Sequence, residues 1–319
     1  MRPTETPSLS PNPAPHHKVL VLLNANAGTV LDRGADKVAQ LVEQHLGHGE
    51  HDVEVRMLRG KELLKAITSA GSGDHDIVVV GGGDGSVSLA VKTLAGSDKV
   101  LGILPLGTLN LLAHDLGIPT DLVAALAALS SAEEVEIDVG SLNGRAFHTI
   151  SGIGFFSQMA RAREAARHWK LWRFLIVAIA ALYALRRSGR VSLDVTVDGK
   201  PHYFEALAAL VTVNRFSGPG WRRARLDEDV MEVHIAEERG ALAKLKAGAD
   251  MVTDNWRDNP GIISLAGRTI TIERRHRHRG WVSTDGELAR EHMPLAYRIL
   301  PRGLKVLKPH PPIGVGNPG

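Results

Sequence analysis

The stretch 77-IVVVGGGDGSVS-88 runs four apolar residues into three glycines, an aspartate, a fourth glycine and a serine. The apolar run reads as a short buried strand, and 87-VSLAVKTLAG-96 after it reads as a helix. Glycines let backbone approach a ligand closely and reach positive φ. Backbone N–H groups at the head of a helix form an anion site. Gly81, Gly82, Gly83 and Gly85 therefore point to phosphate. A bare carboxylate there would repel phosphate, so Asp84 is expected to act through Mg²⁺, an ordered water or a hydrogen bond to a neighbouring turn. Ser86 would cap the helix or bond a phosphate oxygen. The plainer alternative is a tight strand–helix turn with Asp84 as a cap. No Gly-Lys-Ser/Thr follows and the turn is not a G-x-G-x-x-G fingerprint, which counts against a P-loop and, more weakly, against ordinary NAD binding.

On either side the pattern repeats. HKVLVLLNANAG, DVEVRML and VLGILPLGT read as strands, with helical segments between them at about 34–46, in KELLKAITSA and in LNLLAHDLG. Alternating strands and helices predict a parallel sheet covered on its faces. Ligands in such sheets sit at the carboxyl ends of the strands, and here those ends carry NANAG, GGGDGS and PLGTLN. After about Glu134 the signals change to hairpins at Asn143-Gly144 and Asp198-Gly199. A mostly β second domain is expected, interrupted by helices near 157–187 and 240–254. The expected divisions are a disordered leader at 1–16, a nucleotide domain at 17–133, a β-rich substrate domain at 134–308 and a disordered tail at 309–319. A last strand near 297–307 is open to pairing with either domain.

Composition narrows the classes. The 319 residues are 44% apolar and 23% charged, as a packed globular chain requires. There is no cysteine, which excludes disulfides, thiol nucleophiles and Cys-type zinc sites. The net charge of +3 and pI near 9.2 suit phosphates or a lipid surface and do not by themselves argue nucleic acid. The longest apolar run, Phe174–Leu185, falls short of the about 18 residues a spanning helix needs. A cytoplasmic protein is expected, with peripheral contact at the inner face of the membrane through 163–187, where tryptophans and arginines mingle. Core packing of that helix is the competing explanation. The run 273-ERRHRHRG-280 would hold a phosphate or a lipid head group, or would simply be solvated.

Two further turns complete the set. In 105-PLGTLNLLAHDLGIP-119, Gly107 and Thr108 lie where a strand gives way to a helix, and Thr108 is a natural N-cap. Asn110 follows in the first helical turn. In 281-WVSTDGELARE-291, Asp285 and Glu287 flank a glycine. Taken alone, that Asp-Gly is a turn.

Together 24-NANAG-28, 82-GGDGS-86, 105-PLGTLN-110 and 285-DGE-287 resemble, in order, the motifs of the diacylglycerol kinase catalytic family, and its bacterial soluble lipid kinases most closely. The likeness spans roughly residues 17 to 308 and extends to sphingosine kinases. The glycine turn alone also occurs in NAD kinases. The resemblance implies an N-terminal Rossmann-like parallel α/β domain and a C-terminal, mainly antiparallel β-sandwich. It implies ATP bound near Asn24, Gly28, Gly82, Gly83, Asp84, Gly85, Ser86, Gly107, Thr108, Asn110 and Glu287, and Mg²⁺ near Asp84 and Asp227. It makes Asp285 the general base toward a lipid hydroxyl at the membrane surface, with Asp84 in the same network. Asp285→Asn is then expected to keep the fold while transfer falls. Other readings are a kinase of this fold acting on a sphingoid base, phosphatidylglycerol or a soluble alcohol such as NAD, and a silent lipid- or nucleotide-binding homologue. Nucleic acid is not expected as a partner, and the sequence is silent on a homodimer. The sequence departs from the family pattern in four places: Ala25 for proline, Ser88-Leu89 for Asn-Glu, His114 for arginine, and 227-DED-229 for Asp-Asp-Gly.

Overall fold

A computed structural model of the chain describes residues 17–47, 51–154, 191–217, 222–237, 261–275 and 277–310. The segment 163–187, the helices expected near 157–187 and 240–254, the leader 1–16, His276 and residues 311–319 lie outside the described residues.

The first layer follows from its apolar runs. Strands β1 (Lys18–Asn24), β3 (Ile77–Gly82) and β4 (Val100–Pro105) are buried along nearly their whole length, because helices cover both faces of the sheet. The edge strand β2 (Asp52–Leu58) alternates instead. Helices α1 (Gly28–Arg33), α2 (Ala35–Leu46), α3 (Gly60–Ala70) and α4 (Asp84–Leu94) follow the strands. Helix α2 buries Val38, Val42 and Leu46, one stripe at helical spacing. The short α5 (Leu111–Asp115) follows β4. Next comes α6 (Leu122–Ser130), an alanine–leucine segment not anticipated from the sequence, whose N-cap Asp121 accepts from the N–H groups of Val123 and Ala124. The parallel order is β2-β1-β3-β4, with Leu23 opposite Gly81 and Gly82 opposite Pro105. The turns that end β1, β3 and β4 therefore emerge side by side.

The second half is antiparallel. It comprises β5 (Glu133–Leu142), β6 (Arg145–Phe147), β7 (Ile150–Gly154), β8 (Val191–Val197), β9 (Lys200–Ala206), β10 (Ala208–Val213) and β11 (Met231–Ala236), then β12 (Ile262–Gly267), β13 (Thr269–Arg274), β14 (Arg279–Thr284), β15 (Glu287–His292) and β16 (Leu295–Lys308). Six strands form one sheet, in the order β12-β11-β10-β7-β14-β15. The others continue the first layer through β16, whose far end pairs parallel with β4, whose near end pairs antiparallel with β13, and which pairs antiparallel with β5 along most of its length. Leu193, Val195, Val197, Ile270 and Ile272 face Ala209, Val211, Val213, Met231 and Val233 across the gap, every second residue of each strand.

One buried carboxylate holds the junction. The pairing of β16 with β5 shifts register between Leu300 and Leu304. There Asp138 accepts from the N–H of Arg302 at 2.9 Å and from the N–H of Asp229 at 2.6 Å. Burial pushes the Asp138 carboxyl above its ordinary pKa.

Three hairpins share one turn geometry. Asn143-Gly144, Asp198-Gly199 and Asp285-Gly286 all have positive φ at both positions, as type I′ turns require. In each, the Asn or Asp side chain accepts from backbone of a neighbouring segment: Ala296 for Asn143, Thr269 for Asp198, and residues 148–150 for Asp285.

Candidate active site

The turns after β3 and β4 touch backbone to backbone. A Cβ on Gly107 would lie 2.5 Å from Gly83 Cα, so no larger residue fits there. Asn110 takes left-handed backbone (φ 49) and clips the turn to itself. Its Oδ1 accepts from Gly107 N–H and its Nδ2 donates to Gly107 O, both at 3.0 Å. Asp84 bridges the two turns: Oδ1 accepts from Leu111 N–H at 2.8 Å and Oδ2 from Asn110 N–H at 3.1 Å. The hydrogen bond to a neighbouring turn expected of Asp84 is present. Asp84 caps α5 rather than its own helix. This also corrects the N-cap expected at Thr108: the helix starts at Leu111, the cap position is Asn110, and Thr108 stands exposed on the turn.

Helix α4 begins at Asp84 with Gly83 in the cap position and no side-chain cap, so Ser86 does not cap it. The amides at its head are thus free of side-chain competition for an anion. Ser86 instead packs on Gly82, where a Cβ would meet its Oγ at 2.9 Å. Beside them Asn24 closes the β1 turn, its Oδ1 accepting from Asn26 N–H at 3.0 Å, and Gly28 opens α1. The nucleotide-side residues Asn24, Gly28, Gly82, Gly83, Asp84, Gly85, Ser86, Gly107, Thr108 and Asn110 all belong to these three adjacent turns.

The second domain brings its own turn to the same place. Lys92 of α4 donates to Glu287 Oε2 at 2.5 Å, tying the DGE turn to the helix that starts at Asp84. The Asp285 side chain is only 2% exposed. Its Oδ2 accepts from His148 N–H at 2.9 Å, and its Oδ1 accepts from Thr149 N–H at 3.0 Å and Ile150 N–H at 3.2 Å. A carboxylate offers about four acceptor positions, so three are taken and the spare one is on Oδ2.

His148 was not singled out in the sequence. It is buried beside Asp285. Its Nε2 is 3.7 Å from Asp285 Oδ2 and has no hydrogen-bond partner. Burial holds its pKa below the ordinary histidine value, and Asp285 opposes that effect. Nor did the sequence signal Arg223. It pairs with Asp115 at the end of α5, Nη2 to Oδ2 at 2.6 Å with both side chains 1% exposed, and Nη1 donates to His148 O at 2.5 Å. A lone arginine in an irregular loop carries no pattern that names its partner.

Of the departures, Ala25 lies within the β1 turn and the others fall outside the three turns. Ser88 is fully buried and Leu89 packs against the core, so both sit in the packing of α4. Asp227 stands apart from the glycine turns, exposed and paired with Arg225 at 3.0 Å. Asp229 pairs with Arg268. Among the described residues, no group of three or more His, Asp or Glu is arranged to hold a metal ion. Each Asp84 oxygen holds one backbone amide, and no further carboxylates or histidines group with it among the described residues, so these side chains form no cage of their own for a resident Mg²⁺.

A mixed sheet with three glycine-bearing turns at one edge, run on into a β-sandwich, is the architecture of diacylglycerol kinase-type proteins. The diacylglycerol kinase catalytic domain model matches residues 18–142, and the model described as YegS C-terminal NAD kinase beta sandwich-like domain matches residues 154–308. The chain belongs to the diacylglycerol kinase catalytic-domain family. An uncharacterized protein of Synechocystis is 24% identical over 79% of this chain and 60% of its own length. A diacylglycerol kinase of Bacillus subtilis is 29% identical over 49% of this chain and 52% of its own length. The chain thus spans about half to three fifths of the length of these curated relatives. A crystal structure of a diacylglycerol kinase from Bacillus anthracis superposes with a TM-score of 0.70 at 21% identity, covering 93% of this chain and 99% of that one. That last likeness is one of fold.

Proposed function

We propose that the protein transfers the γ-phosphate of ATP to the hydroxyl of a lipid alcohol such as diacylglycerol. The observation that supports this best is the bond from Lys92 Nζ to Glu287 Oε2 at 2.5 Å, which brings the turn that carries Asp285 onto the helix that starts at Asp84. A phosphoryl transfer site needs an anion cradle and a carboxylate facing it from the acceptor side. In this proposal the ATP phosphates lie over the head of α4 and the touching turns of Gly83 and Gly107. Mg²⁺ enters as part of the nucleotide substrate. Asp84 fixes the two turns relative to each other, which is positioning rather than proton transfer. The acceptor oxygen attacks the γ-phosphorus, the bond to the bridging oxygen breaks, ADP leaves, and the acceptor proton passes to Asp285 Oδ2, the oxygen with spare capacity.

Asp285 is enclosed in the structure, so this chemistry requires the β14–β15 turn to open toward the acceptor. The test is transfer of label from ATP, with Mg²⁺, to diacylglycerol, sphingosine, ceramide and phosphatidylglycerol in mixed micelles. One labelled lipid supports the proposal and names the acceptor. No labelled lipid, with ATP bound, moves the protein to the silent-homologue reading.

A further inference from the structure

The bend between β6 and β7 sets an imidazole against the candidate base, and the reaction described so far gives it no task. The His148 side chain is 3% exposed, and its Nε2 has no hydrogen-bond partner among the described residues. A buried polar atom left unpaired is costly, and a phenyl ring would fill the same space without that cost. The other ring nitrogen is engaged: Nδ1 lies 2.6 Å from Thr149 Oγ1. Thr149 is buried and its hydroxyl has no other partner among the described residues, so the hydroxyl hydrogen goes to Nδ1. Burial keeps the ring neutral at pH 7. A neutral imidazole whose Nδ1 accepts carries its hydrogen on Nε2. That N–H lies 3.7 Å from Asp285 Oδ2, about 0.7 Å beyond an ordinary N–H···O bond.

We propose that His148 is the positioning residue of Asp285: its Nε2–H closes on Oδ2 and holds the carboxylate when the β14–β15 turn opens toward the acceptor. This rests on the lipid-kinase proposal and deepens it. Three of the four donors around Asp285 are backbone amides, of His148, Thr149 and Ile150. They are held from behind, His148 O by Arg223 Nη1 at 2.5 Å and Thr149 O by Val213 N–H at 3.0 Å, while Ile150 belongs to β7. These amides cannot follow the carboxylate as the turn moves. The imidazole can, because it turns about two side-chain bonds and gives up no bond at Nε2. Opening also frees Oδ2 from the His148 backbone N–H. One lone pair of that oxygen then takes Nε2–H and another takes the acceptor proton. The imidazole stays neutral and moves no proton. It keeps the base aimed, which is a positional contribution.

The experiment has two arms on the full chain. The first is nitrogen-15 NMR of histidine-labelled protein without ATP or lipid, with His148 identified by the signal lost in His148→Gln. Nε2 should carry the hydrogen at pH 7 and Nδ1 should not, and Asp285→Asn should shift the Nε2 signal. A bare Nε2, or a signal indifferent to Asp285→Asn, overturns the proposal. The second arm is label transfer from ATP to whichever lipid the wild type labels, per folded molecule. His148→Phe keeps a ring and loses the donor, so kcat should fall about 10- to 100-fold while KM for ATP changes little. His148→Gln sets an N–H near the Nε2 position and should recover most of that loss. His148→Asn reaches only as far as Nδ1 and should not. A packing role alone would not separate these two amides, so equal kcat in them overturns the proposal, and their comparison carries the test if His148→Phe does not fold. Absence of transfer by the wild type ends the lipid-kinase proposal alone, and the first arm then decides whether His148 serves Asp285.

Discussion

Replacing Asp285 by asparagine tests the candidate base, and the geometry changes what that variant should do. The carboxylate accepts backbone N–H groups from His148, Thr149 and Ile150 at 2.9, 3.0 and 3.2 Å. An asparagine can keep its oxygen toward Thr149 and Ile150 only by turning its –NH₂ toward the His148 N–H, donor against donor. One charge-assisted bond is then lost, at about 1.5–3 kcal/mol, and the two that remain weaken as the acceptor loses its charge. The sum is about 3 kcal/mol, a large share of the typical 5–15 kcal/mol of a folded domain. The expectation that Asp285→Asn leaves the fold untouched therefore does not follow from the structure. Urea unfolding at constant m should show the loss directly. Turnover must then be expressed per folded molecule, where removal of a general base should lower kcat by roughly 10²–10⁴. A stability change under about 0.5 kcal/mol would refute the three-bond clamp. Destabilisation with normal turnover per folded molecule would keep the clamp and end the base assignment.

Three further expectations rest on single contacts. Gly107→Ala puts a Cβ 2.5 Å from Gly83 Cα, whereas Gly83→Ala meets Gly107 Cα at an ordinary 3.5 Å. The first should cost about 1–3 kcal/mol and weaken ATP binding, and the second should leave calorimetric affinity nearly unchanged; equal affinities in the two variants would show that the turns do not touch. Asp115→Ala strands the buried Arg223 charge and should lose about 3–5 kcal/mol in thermal unfolding, much of it recovered with Arg223→Met, and independent, additive effects would argue against a coupled pair. Burial lowers the His148 pKa from 6.5, so below pH 6.5 the unfolded chain binds a proton that the folded chain does not. Stability should fall as pH drops through 6.5 toward the depressed folded value, by at most about 1.4 kcal/mol per unit. His148→Gln should flatten that slope whatever its stability at neutral pH, and parallel slopes would count against the assignment.

The parallel half was legible because its signals are local. Apolar runs such as 77-IVVV-80 need covering on both faces, and the glycines after them fix where the chain turns. The hairpins at Asn143-Gly144 and Asp198-Gly199 were legible for the same reason, since a type I′ turn declares itself in two residues. Helix α6 was missed because its alanine–leucine run has scarcely any polar face to give it a period. At the site, the three glycine turns could be read, but which atom meets which could not. Asp84 caps a helix 26 residues away, and Asp285 binds amides more than a hundred residues earlier. His148 and Arg223 have no motif at all, because their roles arise only when the sheets close over them.

The shared strand bears on how such a site could work. Strand β16 hydrogen-bonds to β4 of the parallel layer and to β5 and β13 of the sandwich, so the two halves share one continuous sheet. A hinge that swung the halves apart as rigid bodies would have to break that ladder, exposing backbone groups whose burial unpaired is costly. Asp138 adds to this resistance, because it binds the β16 bulge and the segment before β11 at once. Access to Asp285 must then come from something smaller. The β14–β15 turn is the available element: β15 is the edge of its sheet among the described strands, and its ion pair to α4, Lys92 with Glu287, is partly exposed and weak. Opening that turn would uncover Asp285 at the cost of its bonds to residues 148–150, while the β16 ladder stays intact.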